Sequence, residues 1–368
     1  MGKVTVASIL LTLIVGLSPV PAMAYKMRPE ATDLDGKVRR FEPLRLRYFD
    51  SVAAFVSEQF TDPVHERVTH HIYGCSGGKN ECSSPQKPHQ YAPDAVIAGA
   101  RWNDNPPFEL ESSKTLQDCI GKTIRLPNFS KCWFTLFKDA EKRAKAGVIF
   151  DANSGAALLY RVHFGDMQFL HSMASRDGER ARDTLGRIMM WAEFAYRTAL
   201  GEIEKGIEAR KTGIPGMDVI FRNKGWTAQQ LFTRGDPTFR GEKDTRDLAF
   251  GSLLHMMEDS FVASHTDRDE PSGATCPKKA DVLKPGQIRS FHSYARQDPK
   301  KHGREDGHDA LDRTLLTQQP NVVDVGKIVK TYYDAKRPWS ELQDYLECVF
   351  EIRDPEAEGG PGDQYVAD

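Results

Sequence analysis

His255, Asp259 and His265 stand in an otherwise apolar run, Leu253-Leu-His-Met-Met-Glu-Asp-Ser-Phe-Val-Ala-Ser-His265. Imidazole and carboxylate are metal ligands, and an apolar segment offers them no solvent to face. Residues four apart stack on one face of a helix, so His255 and Asp259 reach one ion. If the helix continues, His265 lies about 280° round from His255. That is too far to join the same tight site, yet within reach of a second ion beyond Asp259. A carboxylate has two oxygens and can bridge two metals, which an imidazole cannot. The spacing therefore points to a cluster of ions. The competing reading is a polar patch at a helix–helix contact, its histidines satisfied by hydrogen bonds.

Other stretches repeat the pattern. His302 and Asp306 have the same four-residue spacing, and His163, Asp166 and His171 sit among large apolar residues in Val162–Met173. Asp62-Pro63 reads as a helix start, with His65 and Thr69 on one face. Asp104 follows Trp102 and precedes Asn-Pro-Pro, where a site carboxylate and plain turn chemistry weigh equally. His292, His308 and Asp309 read as solvated loop residues. Nitrogen and oxygen ligands without cysteine suit zinc. Two or more zinc ions close together suit phosphate-ester hydrolysis, in which one ion activates water and the others neutralise phosphoryl oxygens. Other catalytic signatures are missing: there is no Gly-x-Gly-x-x-Gly and no Walker pattern. His65-Glu66 is followed by Arg, Val and Thr69, not the second histidine of a metalloprotease.

These residues need helices to carry them. Leu185, Ile188, Met189, Ala192, Ala195, Tyr196, Ala199, Leu200, Ile203 and Ile207 keep a 3.6-residue period, so their Trp, Met and Phe neighbours read as core. Helices are expected over 247–264, over Ile328–Phe350 and over Tyr48–Phe60, with 211–246 as a connecting region. No run of alternating β-branched residues exceeds a few positions, and the fold class is all-α, a loop-rich multi-helix bundle. Residues 1–24 read as a signal peptide: Lys3, the short apolar run Val4–Leu17, and the small-x-small site Ala22-Met23-Ala24. Residues 25–353 form a single helical catalytic domain, and 354–368 an acidic, mobile tail. No later stretch is apolar enough to span a membrane, so the expected product is exported, secreted or periplasmic. Six cysteines in an exported chain argue for disulfides, the local pairs Cys75–Cys82 and Cys119–Cys132 first, leaving Cys276–Cys348. Fifty Lys+Arg against 52 Asp+Glu, a net of −2, give no basic footprint for gripping duplex nucleic acid.

Taken together, His255-x3-Asp259-x5-His265, the downstream His302-x3-Asp306 and the upstream Trp102-x-Asp104 resemble the zinc-dependent phospholipase C and single-strand nuclease superfamily. The wording His-x-x-Glu-Asp-Ser-Phe-x-x-x-His, with Phe169-Leu-His-Ser-Met upstream, is similar to a Gram-negative branch of secreted phospholipases C. The likeness lies in islands between residues 62 and 310. It implies a helical bundle of that type with two to three zinc ions, and a zinc-bound hydroxide that cleaves the phosphodiester of a glycerophospholipid such as phosphatidylcholine. The substrate would lie at a membrane surface, met peripherally. The alternatives are a single-strand nuclease or nucleotidase on the same fold, with nucleic acid as partner, or a non-catalytic exported metal-binding protein. Carried over by residue, Asp259 bridges two zincs, and His255, Asp104 and one of His163 or His171 hold the first. His265, His302 and Asp306 hold the second. His65 resembles a ligand of the third, whose other ligand in the family is a mature N-terminal Trp. Here a chain beginning at Tyr25 needs further trimming, a substitute, or leaves that site weak. Asp104 and Asp259 are the catalytic candidates, Asp104 as a possible base.

Overall fold

A computed structural model describes residues 63–83, 91–110, 116–126, 129–234, 239 and 241–366. The signal peptide, the chain start at Tyr25 and the helix expected over Tyr48–Phe60 lie outside these residues. Thirteen α-helices occur among the described residues: α1 Val64–Ile72, α2 Lys79–Ser83, α3 Asp94–Ala100, α4 Ser130–Lys145, α5 Leu158–Phe164, α6 Ala181–Leu200, α7 Met217–Ile220, α8 Ala228–Thr233, α9 Glu242–Asp259, α10 Pro299–Glu305, α11 His308–Thr317, α12 Val322–Asp334 and α13 Trp339–Val349. Three antiparallel two-stranded sheets complete it: β1 Phe108–Glu109 with β2 Thr123–Ile124, β3 Thr266–Arg268 with β6 Ile288–Phe291, and β4 Thr275–Cys276 with β5 Lys279–Leu283. The fold is mostly helical, as expected, and all three disulfides are formed in the expected pairs.

The bundle is built around α9. From Asp247 to Asp259 every residue is buried, so this helix has no solvated face and its neighbours surround it. It packs closely on α3 and α6. At the α3 crossing two glycines remove the side chains that would hold the backbones apart. A Cβ on Gly251 would lie 2.2 Å from Val96 O, and one on Gly99 2.3 Å from Leu248 O. That approach puts Ala100 O within 2.5 Å of His255 Nδ1 and places Asp104 just past the end of α3.

Several element boundaries differ from the sequence reading. The helix expected over 247–264 starts earlier and ends at Asp259, so His265 is not on it. Local side chains take the helix's outgoing backbone: Thr266 Oγ1 and Arg268 Nε both donate to Ser260 O, at 2.8 and 3.2 Å. His265 lies on the turn into β3, and the helical angle computed for it does not apply. The period in α6 stops at Leu200, where Gly201 turns left-handed (φ +79°), so Ile203 and Ile207 lie beyond the helix. The expected final helix is two helices, α12 and α13, parted where Lys336 takes φ +50° ahead of Pro338. The connecting region contains the short helices α7 and α8. The tail is no loose end either. Through Val366 it is held by bridges at Arg180–Glu358, His292–Gly360 and Gln297–Val366, with Tyr365 buried.

Candidate metal centre

Nine residues from five parts of the chain converge at the C-terminal end of α9. They fall into three groups, each with ligand-capable atoms within 4.8 Å of one another: His65, His255 and Asp259; Asp104, His163 and His171; and His265, His302 and Asp306. Every one of the nine is at most 5% exposed. They include every metal candidate of the sequence reading. The last group is the one expected for the second zinc. The other six are partitioned differently: His255 and Asp259 fall with His65, and both His163 and His171 fall with Asp104.

Asp259 lies at the junction. Its Oδ2 is 2.9 Å from both His255 Nε2 and His171 Nδ1 and 3.6 Å from His265 Nδ1, while Oδ1 faces His65 Nε2 at 3.4 Å. Asp104 is 3.9 Å from His65 Nε2 and 3.7 Å from His171 Nδ1. Two carboxylates thus address all three groups between them.

The rings are held by outer partners, and most of those partners can only accept. His255 Nδ1 donates to Ala100 O at 2.5 Å, His265 Nδ1 to His171 O at 2.9 Å, and His163 Nε2 to Asp104 O at 2.8 Å. Glu258 takes His65 Nδ1 at 2.6 Å, and Gln297 takes His302 Nδ1 at 2.5 Å. Fixing one ring nitrogen as N–H leaves the other with a bare lone pair, the form that binds a metal. Asn103 steadies the segment beside Asp104: its Nδ2 donates to Leu170 O at 2.7 Å, and its Oδ1 accepts from Ser252 Oγ at 2.5 Å.

Several inner atoms remain unsatisfied. Both oxygens of Asp104, Asp259 Oδ1, and Nε2 of His171, His265 and His302 are buried without a hydrogen-bond partner. Such groups ordinarily cost about 1–3 kcal/mol each when left unpaired, so this many in one place needs a compensating ligand. Burial holds the His65, His171 and His265 rings well below the usual imidazole range, and lowers His163 to about 3. It pushes the Asp104 and Asp259 carboxyls well up, and the neighbouring Asp306 adds to this at Asp259. Neutral imidazoles beside strained carboxylates, with no cysteine, form a donor set that fits a small divalent cation such as zinc.

A cavity of about 10 Å³, room for about one water, lies against the cluster, walled by His163, His171, His265 and His302 with Gln168, Met173 and Tyr294. A wider cleft of about 410 Å³, lined by Asp267, His292, Glu358 and Asp363 among others, contains none of the nine residues. Asp166 is not part of the centre; Arg161 holds it through two 2.8 Å bonds. His292 and His308, expected in solvent, are buried: His292 Nδ1 donates to Ser264 O at 3.1 Å, and His308 Nδ1 lies 3.4 Å from Arg67 Nη1. Asp309 is exposed, as expected. Glu258, Gln297 and Asn103 had no role in the sequence reading. Glu258 was findable as a second carboxylate in an apolar helix, whereas Gln297 gives no local signal.

No family model, curated protein or solved structure matches this chain. Among the described residues, no helix is long and apolar enough to cross a membrane.

Proposed function

We propose that this chain is a zinc-dependent phosphodiesterase of the phospholipase C type, exported and acting on glycerophospholipids. The observation that carries the reading is the cluster itself: three adjoining His/Asp groups, buried and oriented from outside, with unsatisfied atoms on Asp104, Asp259, His171, His265 and His302. His65, His255 and Asp259, then Asp104, His163 and His171, then His265, His302 and Asp306 would hold up to three ions. Bound there, zinc supplies activation of water near neutral pH and neutralisation of charge on phosphoryl and leaving oxygens. The chain's own residues do the rest. Asp104 and Asp259 span the groups and fix their separation. The outer carbonyls, Glu258 and Gln297 keep the imidazoles in the ligand tautomer.

Metal analysis and a turnover assay on one preparation test the reading. Phosphatidylcholine and single-stranded DNA are offered side by side, with and without chelator. Two to three zincs per chain and chelator-sensitive release of phosphocholine are expected. Cleavage of the DNA alone would transfer the centre to the nuclease branch, and a protein without zinc would end the proposal.

A further inference from the structure

Gln297 is buried on the loop between β6 and α10, and its carboxamide has only one workable orientation. Its Nε2 donates to Ser264 O and to Pro361 O, both at 2.7 Å. Turned over, its oxygen would face two carbonyl oxygens, none of which can donate. Oε1 therefore points at His302 Nδ1, 2.5 Å away, and requires a proton there. His302 is held as its Nδ1–H tautomer, with Nε2 left bare and 3.1 Å from Asp306 Oδ2.

One of the two clamping carbonyls belongs to the C-terminal segment, which grips this loop repeatedly. Ser293 N–H donates to Gly360 O at 2.8 Å and Asp298 N–H to Tyr365 O at 2.6 Å. Lys301 Nζ donates to Val366 O at 2.9 Å, and Gln297 bridges to Val366. Asp298 in turn caps α10, the helix that carries His302, by accepting from Lys300 and Lys301 N–H at 2.9 Å. Gly362 (φ +76°) lets the segment lie on the His292 ring, which a Cβ there would meet at 2.7 Å.

We propose that Gln297, clamped by residues 360–366, is a positioning residue that fixes His302 as a ligand, so that the C-terminal segment governs how tightly the His265/His302/Asp306 group holds its ion. This rests on the metal-centre reading above.

Two variants and two readouts test it. Gln297→Met keeps the side chain's length and removes its three hydrogen bonds; a chain ending at Gly359 removes the strap. Nitrogen NMR of the metal-free protein reads the His302 tautomer, and zinc retention against graded chelator reads each bound equivalent. Wild type should show His302 as Nδ1–H. Both variants should show mixed tautomers and lose one zinc equivalent about 10–100-fold more readily, with the other equivalents unchanged. An unaltered His302 tautomer in Gln297→Met overturns the role of Gln297. A response in that variant but not in the shortened chain overturns the role of the strap. A wild type that takes up no zinc sinks the metal reading instead, and the two failures stay distinct because the tautomer is read without metal.

Discussion

Glu258 Oε2 lies 2.6 Å from His65 Nδ1, and Glu258 is the helix neighbour of Asp259, which faces the other side of the same ring at 3.4 Å. One turn of α9 thus supplies both an inner carboxylate and the outer carboxylate that orients an inner histidine. Thr69 Oγ1 donates to the second oxygen of Glu258 at 3.0 Å, so the pair is fixed from α1 as well. Glu258→Ala should weaken zinc retention about 10–100-fold for one equivalent, while Glu258→Gln, which keeps an acceptor, should do less. Chelator titration of the two variants checks this; equal retention in Glu258→Ala and wild type would remove Glu258 from the centre.

Asp259→Asn should act with opposite signs in the two forms of the protein. With metal present it should abolish loading and turnover, because the junction carboxylate is gone. In the metal-free protein it should stabilise. Burial raises the Asp259 carboxyl, so the native state favours the protonated form, and stability falls as pH rises from the unfolded value through the raised one. An amide has no such loss. At pH 7–8 the metal-free variant should be more stable than metal-free wild type. Thermal denaturation with excess chelator measures it, and a variant that retains zinc would refute the junction role.

His163 and His171 should not be equivalent. His163 spends Nε2 on Asp104 O at 2.8 Å and packs its ring against Phe137, with centroids 5.0 Å apart. His171 reaches Asp259 Oδ2 at 2.9 Å and carries a buried Nε2 without a hydrogen-bond partner. His171→Ala should lose zinc sharply, whereas His163→Ala should lose less and owe part of its effect to the lost aromatic contact. Similar, mild losses of zinc in both would mean that neither ring is an inner ligand.

Much of the centre was legible in the sequence because its ligands break an apolar pattern. A histidine or carboxylate inside α9 or beside Phe164 has no solvent to satisfy it, so its type and place announce a partner. His265 was legible by type but not by position, since the end of α9 depends on Thr266 and Arg268 folding back onto Ser260 O, a contact periodicity does not encode. Gln297 was invisible: a glutamine on a loop is ordinary until Pro361 and Ser264 close on it. The strap of residues 360–366 was misread for a related reason. Its Gly/Pro-rich, acidic composition suits a mobile tail, and the matching donors on residues 293–301 together with the His292 ring hold it.

The Cys276–Cys348 bridge ties the β4–β5 hairpin to α13 across a separation of 72 residues, against 7 for Cys75–Cys82. Closing the longer loop removes more freedom from the unfolded chain, about 4 kcal/mol against about 2 kcal/mol. Paired Cys→Ser replacement at 276 and 348 should therefore lower the denaturation midpoint more than the same change at 75 and 82. The reverse order would show that native packing around Cys75–Cys82, not chain entropy, sets the difference.

Zinc uptake should release protons from an unusual source. The five histidines His65, His163, His171, His255 and His265 are all depressed by burial, which favours the neutral imidazole with a single N–H. Asp104 and Asp259 are both raised by burial, which favours their protonated forms in the metal-free centre. A bound cation reverses that preference and expels those protons. Calorimetry of zinc binding in two buffers of different ionisation heat should show net proton release at pH 7. An ordinary exposed His/Asp site would release only about a quarter of a proton per imidazole at pH 7, because its carboxyls are already ionised there. Binding without proton release at pH 7 would mean that the carboxylates already stand ionised and that some other charge, not the incoming metal, balances them.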